Sequence, residues 1–277
     1  MNYLNIGGHK IAYIREGVQQ GKSIIFLHNG GTDHRIWDHQ FNYFKQTHDV
    51  IAIDLLGYGL SDKPQINYSL WLYSFLVGEI IRKLELDNVI LVGHCIGSAM
   101  ALHYTSIHPE KIHRLILFNL ASLHTLRYGV YNDLYNLSRN MIVQTMVKLF
   151  AERLVVPKWL RTIEFKKLYG KIGESNDEFL EHLHWLFEQP TQMRVLYNLL
   201  VNFDSFQSID HITGPVNCTS LSMIWGELNQ ILPKQGGIEI ANKLNPDHFK
   251  IVQECGHMVM REKPDLINEM MDEWING

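Results

Sequence analysis

Short apolar runs rich in β-branched residues recur along this chain, and helical spacing fills the segments between them. Four such runs, SIIFLH, DVIAID, NVILVG and RLILFN, begin at Ser23, Asp49, Asn88 and Arg114. Continuous apolar runs of this length are typical of strands that are buried on both faces of a parallel sheet. The helical patterns cover residues 36–47, 69–86 and 95–108. The sequence therefore predicts an α/β fold built from repeated strand–helix units.

The same alternation returns near the end of the chain. LSMIWG begins at Leu221 and FKIVQ begins at Phe249, with helical patterns at 236–244 and 264–275. At the other end, HKIAYIREG (9–17) and the run before it predict an antiparallel start. Since both halves share one pattern, we expect them to form a single sheet within the 277 residues.

The stretch between these halves has no clear strand pattern and several amphipathic helical stretches. We therefore predict a core of residues 1–120 and 216–277, and a helical cap of residues 121–215 over the carboxyl edge of the sheet, where open α/β sheets bind ligands. At helical spacing, large apolar side chains more often pack an insertion than line a pocket. Those of the cap are Met141, Met146, Phe150, Trp159, Phe165, Phe179, Trp185, Phe187, Met193, Tyr197 and Phe203.

Charge and cysteine content exclude several classes of protein. A net charge of −4 gives no field that would attract nucleic acid or an anionic membrane. We find neither an amino-terminal signal pattern nor an apolar run long enough to span a bilayer. Cys95, Cys218 and Cys255 are too few for a disulfide framework and have no paired zinc spacing. These features predict a soluble, cytoplasmic protein.

The segment GHCIG, residues 93–97, has the spacing of a nucleophile turn, with cysteine at its centre. An apolar strand pattern precedes it and a helical pattern follows. A sharp strand-to-helix turn needs small residues two positions before and after the nucleophile, and Gly93 and Gly97 occupy those positions. The positive end of the helix would also lower the pKa of the Cys95 thiol. Cys95 is therefore our candidate nucleophile.

Five segments together resemble the α/β-hydrolase superfamily over nearly the whole chain. They are FLHNGGTDHRIW (26–37), DLLGYGLSDKP (54–64), VGHCIGS (92–98), WGELNQILP (225–233) and GHMVMREKP (256–264). The resemblance implies a mostly parallel, eight-stranded sheet flanked by helices, with a helical cap insertion. It also implies a triad in the family's order of nucleophile, acid and base, made of Cys95, Asn229 and His257.

Further roles follow from the same resemblance. The oxyanion hole would consist of the backbone N–H groups of Gly30 and Ile96. Asn29 stands where the family usually has glycine, and asparagine enters left-handed backbone conformations more readily than most residues. His28 and His94 are typical of these motifs, and we assign them structural roles. Asp54 belongs to a structural segment rather than to the triad.

Cysteine replaces the usual serine, and Asn229 replaces the usual aspartate. In a serine enzyme the histidine becomes positive during the reaction, and the aspartate stabilises that charge. A thiolate–imidazolium pair can exist before substrate arrives, so the third residue mainly orients the ring, as asparagine does in papain-type proteases. The two replacements are thus mutually compatible. Glu227 and Asn119 are alternative third members.

Two sets of Asp and His side chains could be considered as metal ligands, and Cys255 as a second reactive thiol. Asp33, His34, Asp38 and His39, and separately His182 with His184, have no recognisable ligand spacing, so we predict neither a metal site nor a cofactor. Cys255 is better explained by packing than as a resolving thiol.

The sequence thus predicts a hydrolase of carboxylic esters or thioesters that forms an acyl-cysteine intermediate. An acyltransferase with the same intermediate is an open alternative, and a non-catalytic binding protein on a hydrolase fold is another. The expected partner is a small, partly apolar acyl substrate. The acceptor, the acyl group and the oligomeric state are left open.

Overall fold

The structure, a computed structural model, describes residues 1–18, 22–150, 156–171, 177–189, 191–214, 216 and 220–277. One eight-stranded sheet runs through it in the order β1-β2-β4-β3-β5-β6-β7-β8. The strands are β1 (Asn2–Ile6), β2 (His9–Gly17), β3 (Ser23–Leu27), β4 (Asp49–Ile53), β5 (Val89–His94), β6 (Ile112–Phe118), β7 (Ser220–Gly226) and β8 (His248–Val252).

The strand directions confirm the predicted architecture. β1 pairs with β2, and β2 with β4, in antiparallel fashion. The strands from β3 to β8 are all parallel to one another. Every residue of β3, β4, β5 and β7 is buried, as expected for strands covered on both faces. Because the carboxyl ends of the parallel strands share one edge, the loops that follow β3, β5, β7 and β8 gather there.

Helices flank the sheet close to the predicted positions. The predicted helix at 36–47 is shorter than expected, because a 3-10 turn over His34–Trp37 precedes it. The flanking helices are α1 (Asp38–Phe44), α2 (Leu70–Lys83), α3 (Ile96–Ile107), α11 (Lys234–Leu244), α12 (Val259–Glu262) and α13 (Pro264–Asn276).

Helices also fill the connection from β6 to β7. They are α4 (Leu123–Leu126), α5 (Asn132–Ser138), α6 (Met141–Phe150), α7 (Lys158–Lys166), α8 (Asp177–Glu188), α9 (Gln192–Val201) and α10 (Gln207–Asp210). We call residues 121–215 the cap segment. Its boundaries stay a prediction, and residue 215 lies outside the described residues.

The aromatic and methionine side chains of the cap segment differ in burial. Phe165, Phe179 and Phe203 are buried, Phe187, Met193 and Tyr197 are partly buried, and Met141, Met146, Trp159 and Trp185 are exposed. The side chain of Phe150 lies outside the described residues. Packing therefore accounts for part of this set. Among the helices that the structure describes, none is both long and apolar enough to cross a membrane.

Candidate active site

Cys95 lies in the turn between β5 and α3, with a backbone conformation that few residues adopt. Its φ is +55° and its ψ is −111°. A Cβ on Gly93 would lie 2.4 Å from the carbonyl oxygen of Gly97, and a Cβ on Gly97 would lie 2.3 Å from that of Leu27. Both neighbours must therefore be glycine. A strained residue held by such packing is typical of a nucleophile turn.

Hydrogen bonds from β6 and α3 hold this turn in place. The backbone N–H of Cys95 donates to the carbonyl oxygen of Phe118 at 2.9 Å. The hydroxyl of Ser98 donates to the carbonyl oxygens of Gly93 and Phe118, at 2.7 and 2.8 Å. Cys95 itself is partly exposed, and within the part of the chain that the structure describes it forms no disulfide.

Asn229 and His257 meet as the motif order predicts. Asn229 Oδ1 lies 3.2 Å from His257 Nδ1 and also accepts the backbone N–H groups of Ile231 and Leu232, both at 3.0 Å. These two donors fix which amide atom is the oxygen, so His257 Nδ1 must carry a proton and donate. The Nε2 atom of His257 is therefore the unprotonated one, as a general base requires.

The backbone of His257 is held from two sides. Its N–H donates to the carbonyl oxygen of Leu168 in the cap segment at 2.7 Å, and its own carbonyl oxygen accepts from Asn119 Nδ2 at 2.8 Å. The ring packs against that of His94, with 4.4 Å between centroids. Because His94 directly precedes Cys95, this contact brings the histidine loop against the nucleophile turn.

The alternative third members are engaged elsewhere. Asn119 donates to the backbone of His257, and its Oδ1 accepts the N–H of Gly226 at 3.1 Å. The carboxylate of Glu227 accepts the N–H of Glu254 at 3.1 Å and pairs with Lys234 at 3.2 Å. Of the three candidates, Asn229 is the one whose side chain bonds the imidazole.

The loop after β3 forms the opposite wall of the site. His28 supports it, since His28 Nε2 accepts the N–H of Leu55 at 2.9 Å and Nδ1 lies 2.6 Å from the carbonyl oxygen of Asn29. The left-handed residue of this loop is Gly31, with φ at +88°, and not Asn29. Within the described residues, the backbone N–H groups of Gly30 and Ile96 make no hydrogen bond to another backbone group.

Apolar side chains of the cap segment cover this loop. A Cβ on Gly30 would lie 3.4 Å from Leu199 Cδ2, 3.6 Å from Leu196 Cδ2 and 3.6 Å from Ile96 Cδ1. Phe187 stands over Gly31 in the same way, at 3.3 Å. The space beside the predicted oxyanion donors is therefore lined by aliphatic and aromatic groups.

Burial determines the charge state of the two reactive groups. It raises the pKa of the Cys95 thiol to about 12, although the N–H of Ile96 opposes this effect. It lowers the pKa of His257 to about 3. Both groups are thus neutral at pH 7. The expectation that the helix N-terminus lowers the pKa of Cys95 and gives a thiolate–imidazolium pair is wrong, because desolvation outweighs the helix.

A second group of ionisable side chains lies in the loops after β3 and β4. Among the described residues, only Asp33, His34 and Asp54 bring enough potential metal ligands together, within 4.8 Å of one another. His34 Nδ1 lies 2.6 Å from Asp54 Oδ1, and His182 Nε2 of α8 lies 2.7 Å from Asp33 Oδ2. These contacts give each histidine a carboxylate partner, Asp54 for His34 and Asp33 for His182.

Asp54 determines the charge of His34. Burial alone would lower the pKa of His34, but the hydrogen bond and charge of Asp54 outweigh it, so this pKa is raised. In return, His34 outweighs the effect of burial on Asp54, and the pKa of that carboxyl group is lowered. Both shifts favour the ionic form of the pair. Its role is structural, since Asp54 Oδ2 also accepts the N–H of Leu60 at 2.8 Å.

Sequence reasoning missed two contacts of His257. The carbonyl oxygen of Leu168 lies in the turn after α7, and its contact with His257 depends on how two distant loops cross, so it gave no signal. The packing of His94 against His257 could have been inferred from the adjacency of His94 to Cys95. Cys255 is fully buried in an apolar cluster, as a packing role requires. Cys218 lies outside the described residues.

Comparisons with known proteins identify the family and the fold. The alpha/beta hydrolase fold family matches residues 22–264. Epoxide hydrolase 2 of Caenorhabditis elegans is 24% identical over 99% of this chain and 79% of its own length. An alpha/beta hydrolase fold protein from Burkholderia ambifaria superposes with a TM-score of 0.81 at 19% identity, covering 98% of this chain and 96% of its own.

A thermophilic esterase from Thermogutta terrifontis also has a TM-score of 0.81, at 17% identity, over 100% of this chain and 98% of its own. The family match spans most of the chain and includes the residues of the nucleophile turn, of the Asn229 loop and of the whole cap segment. The protein belongs to the alpha/beta hydrolase fold family.

Proposed function

We propose that this protein hydrolyses carboxylic esters or thioesters through an acyl-cysteine intermediate at Cys95. The observation that carries the proposal is the bond from His257 Nδ1–H to Asn229 Oδ1, which leaves Nε2 free to accept a proton. Hydrolase chemistry is supported at the level of the family. The cysteine nucleophile and the acyl intermediate are the parts that we add.

The proposed reaction begins from two neutral groups. As Sγ of Cys95 attacks the carbonyl carbon, its proton passes to His257 Nε2, and the carbonyl electrons move to oxygen. The N–H groups of Gly30 and Ile96 would hold that oxyanion. Its collapse breaks the bond to the leaving group, which takes the proton from His257. Water, deprotonated by the same nitrogen, then attacks the thioester and releases the acid and the thiol.

The substrate class follows from the walls of the site. Leu196, Leu199 and Phe187 favour an apolar acyl chain over a charged one. A cytoplasmic location is part of the proposal, because a free catalytic thiol is stable in a reducing compartment. An acyltransferase would use the same intermediate and replace water by an amine, alcohol or thiol.

Epoxide opening at Cys95 is a poor alternative, although relatives of this chain are named epoxide hydrolases. Attack of Sγ on an epoxide carbon gives a thioether, which has no carbonyl group for water to attack. Such an enzyme would be alkylated once and would not turn over. An acyl group on the same sulfur forms a thioester, which water can cleave.

The test treats the protein with activated esters and thioesters of graded chain length and follows both turnover and intact mass. We expect an acyl adduct on Cys95, loss of the adduct with release of acid, and loss of both in His257→Ala. The matched control is Cys255→Ser, which should behave as wild type. Turnover without a Cys95 adduct, or neither adduct nor turnover, would contradict the proposal, and the second outcome would favour a binding protein.

A further inference from the structure

Part of the cap segment lies alongside the histidine loop, backbone against backbone. The N–H groups of His257 and Met258 both donate to the carbonyl oxygen of Leu168, at 2.7 and 3.0 Å. Three residues further along the cap segment, the N–H of Lys171 donates to the carbonyl oxygen of Glu254 at 2.9 Å. The cap segment is thus bonded directly to the backbone of the predicted base.

Glycines make this approach possible. A Cβ on Gly170 would lie 2.0 Å from the carbonyl oxygen of Glu254, and a Cβ on Gly256 would lie 2.6 Å from the nitrogen of Gly170. Backbone atoms block both positions, so neither clash could be relieved by turning a side chain. Only glycine at both positions allows the two chains to pass so closely.

One buried carboxylate bridges the two glycines. Glu262, the last residue of α12, is 4% exposed. Its Oε1 accepts the N–H of Gly256 and its Oε2 accepts the N–H of Gly170, each at 2.7 Å. Hydrogen bonds to an ionised acceptor are shorter and stronger than neutral ones. The residue next to His257 and the cap segment therefore share one acceptor group.

We propose that Glu262 is a positioning residue, which fixes the backbone of His257 and the cap segment as one unit. This inference rests on the proposed function, because it assigns to His257 the role of base. The carboxylate acts through the backbone and does not contact the reacting atoms. Its two bonds set where the imidazole lies relative to Asn229 and Cys95, and they tie that position to the seating of the cap.

The arrangement also keeps water away from the imidazole. Burial is the cause of the low pKa of His257, and the cap backbone at Leu168 is part of what buries it. If the bridge were lost, the cap would move from the histidine loop and water would reach the ring. The pKa of His257 should then rise towards its usual value near 6.5.

The experiment compares Glu262→Gln with wild type and with Glu269→Ala, which alters an exposed glutamate on α13. Glutamine keeps one acceptor oxygen and turns an amide donor towards the second N–H. We expect acylation of Cys95 to slow by about 10-fold to 100-fold in Glu262→Gln, the range typical of a displaced catalytic group, with KM little changed. Glu269→Ala should stay within about two-fold of wild type, as an exposed side chain should.

Two further measurements separate positioning from general stability. Hydrogen exchange should become faster at the amides of Gly170 and Gly256 in Glu262→Gln, while the amides of β5 keep their protection. A proton NMR titration should show the pKa of His257 rising, with the neighbouring imidazole of His94 followed as a second ring. A variant that does not fold, or one that folds with unchanged acylation, exchange and titration, would overturn the proposal.

Failure of this inference is distinguishable from failure of the proposed function. If wild-type protein forms no acyl adduct, the proposed function fails, and exchange and titration still test the bridge. If wild-type protein is acylated and Glu262→Gln is acylated equally fast, the positioning role fails and the proposed function stands.

Discussion

The side-chain oxygen of Asn229 accepts three hydrogen bonds, one of them from His257, whereas its amide nitrogen has no hydrogen-bond partner among the described residues. Asn229 is 3% exposed, so this nitrogen is buried. A buried polar group without a partner costs about 1–3 kcal/mol. A carboxylate would have no such orphan donor. The loop thus accommodates an aspartate at least as well as the asparagine it contains.

This relationship predicts how position 229 depends on position 95. In Cys95→Ser the imidazolium formed during attack has no carboxylate beside it. Adding Asn229→Asp should therefore raise the activity of the serine variant by about 10²-fold to 10⁴-fold, the range expected for a triad acid. In the cysteine protein the same change should have a smaller effect, because a thiol gives up its proton more readily than a hydroxyl group. Ester turnover by all four combinations measures the coupling.

Comparing the effect of Asn229→Asp in the cysteine protein and in Cys95→Ser also supplies the control. If aspartate does nothing for the serine variant, the two positions are not tuned to each other. An equal gain in both backgrounds would likewise contradict the coupling. The pKa of His257 should rise by about 1–3 in Asn229→Asp, because an adjacent opposite charge favours the protonated ring.

The neutral state of Cys95 predicts slow alkylation. Since burial raises the pKa of this thiol to about 12, the thiolate is scarce at pH 7. The rate with iodoacetamide should keep rising between pH 7 and pH 10 and stay below that of free N-acetylcysteine. Peptide mass spectrometry identifies the modified cysteine. A rate that is high and constant from pH 5 to pH 8 would instead indicate a preformed thiolate–imidazolium pair.

The charge state expected from the helix N-terminus and the one that burial favours differ for a definite physical reason. The sequence places Cys95 at a helix N-terminus, and that local feature favours a thiolate. It does not reveal how much of the thiol the cap and the loop after β3 remove from water. Because desolvation depends on contacts between distant segments, no local pattern predicts its size.

Other features were predictable because they are local or periodic. The buried strands have continuous apolar runs, and Gly93 and Gly97 mark the turn around Cys95. The meeting of Asn229 and His257 is what the resemblance of WGELNQILP and GHMVMREKP to α/β-hydrolase segments implies. By contrast, the Glu262 bridge joins residues 92 positions apart through backbone N–H groups. Backbone donors exist at every residue, so composition gives no hint of which two will share a carboxylate.

Burial of His257 also predicts how stability depends on pH. Its pKa is about 3 in the folded protein and near 6.5 when unfolded, so between these values the unfolded chain binds the extra proton. The contribution of neutral His257 to the free energy of unfolding is fully present above about pH 6.5. It should fall by about 1.4 kcal/mol per pH unit as the pH drops towards 3. His94, whose pKa burial also lowers, adds to the slope.

Urea unfolding at several pH values between 7 and 4 measures this slope. His257→Gln should flatten it by about one proton per molecule, the contribution of a single histidine. Gln207→Ala, an exposed change that removes no ionisable group, should leave the slope unchanged. An identical slope in wild type and His257→Gln would show that this imidazole titrates normally in the folded state.

The apolar cover over Gly30 predicts the preference for acyl chains. Leu196→Ala removes a side chain that lies beside the predicted oxyanion donor and beside Phe187 at Gly31. The enlarged space should shift kcat/KM towards longer or branched acyl groups by about 10-fold, as expected when a pocket gains room for a few methylene groups.

Leu200→Ala is the matched control, since Leu200 is also half-buried on α9 but is not among the nearest neighbours of Gly30 or Gly31. A series of p-nitrophenyl esters with acyl chains of about two to twelve carbons measures the chain-length profile of this apolar pocket. Equal shifts in both variants would indicate loosening of the cap rather than a lining role for Leu196.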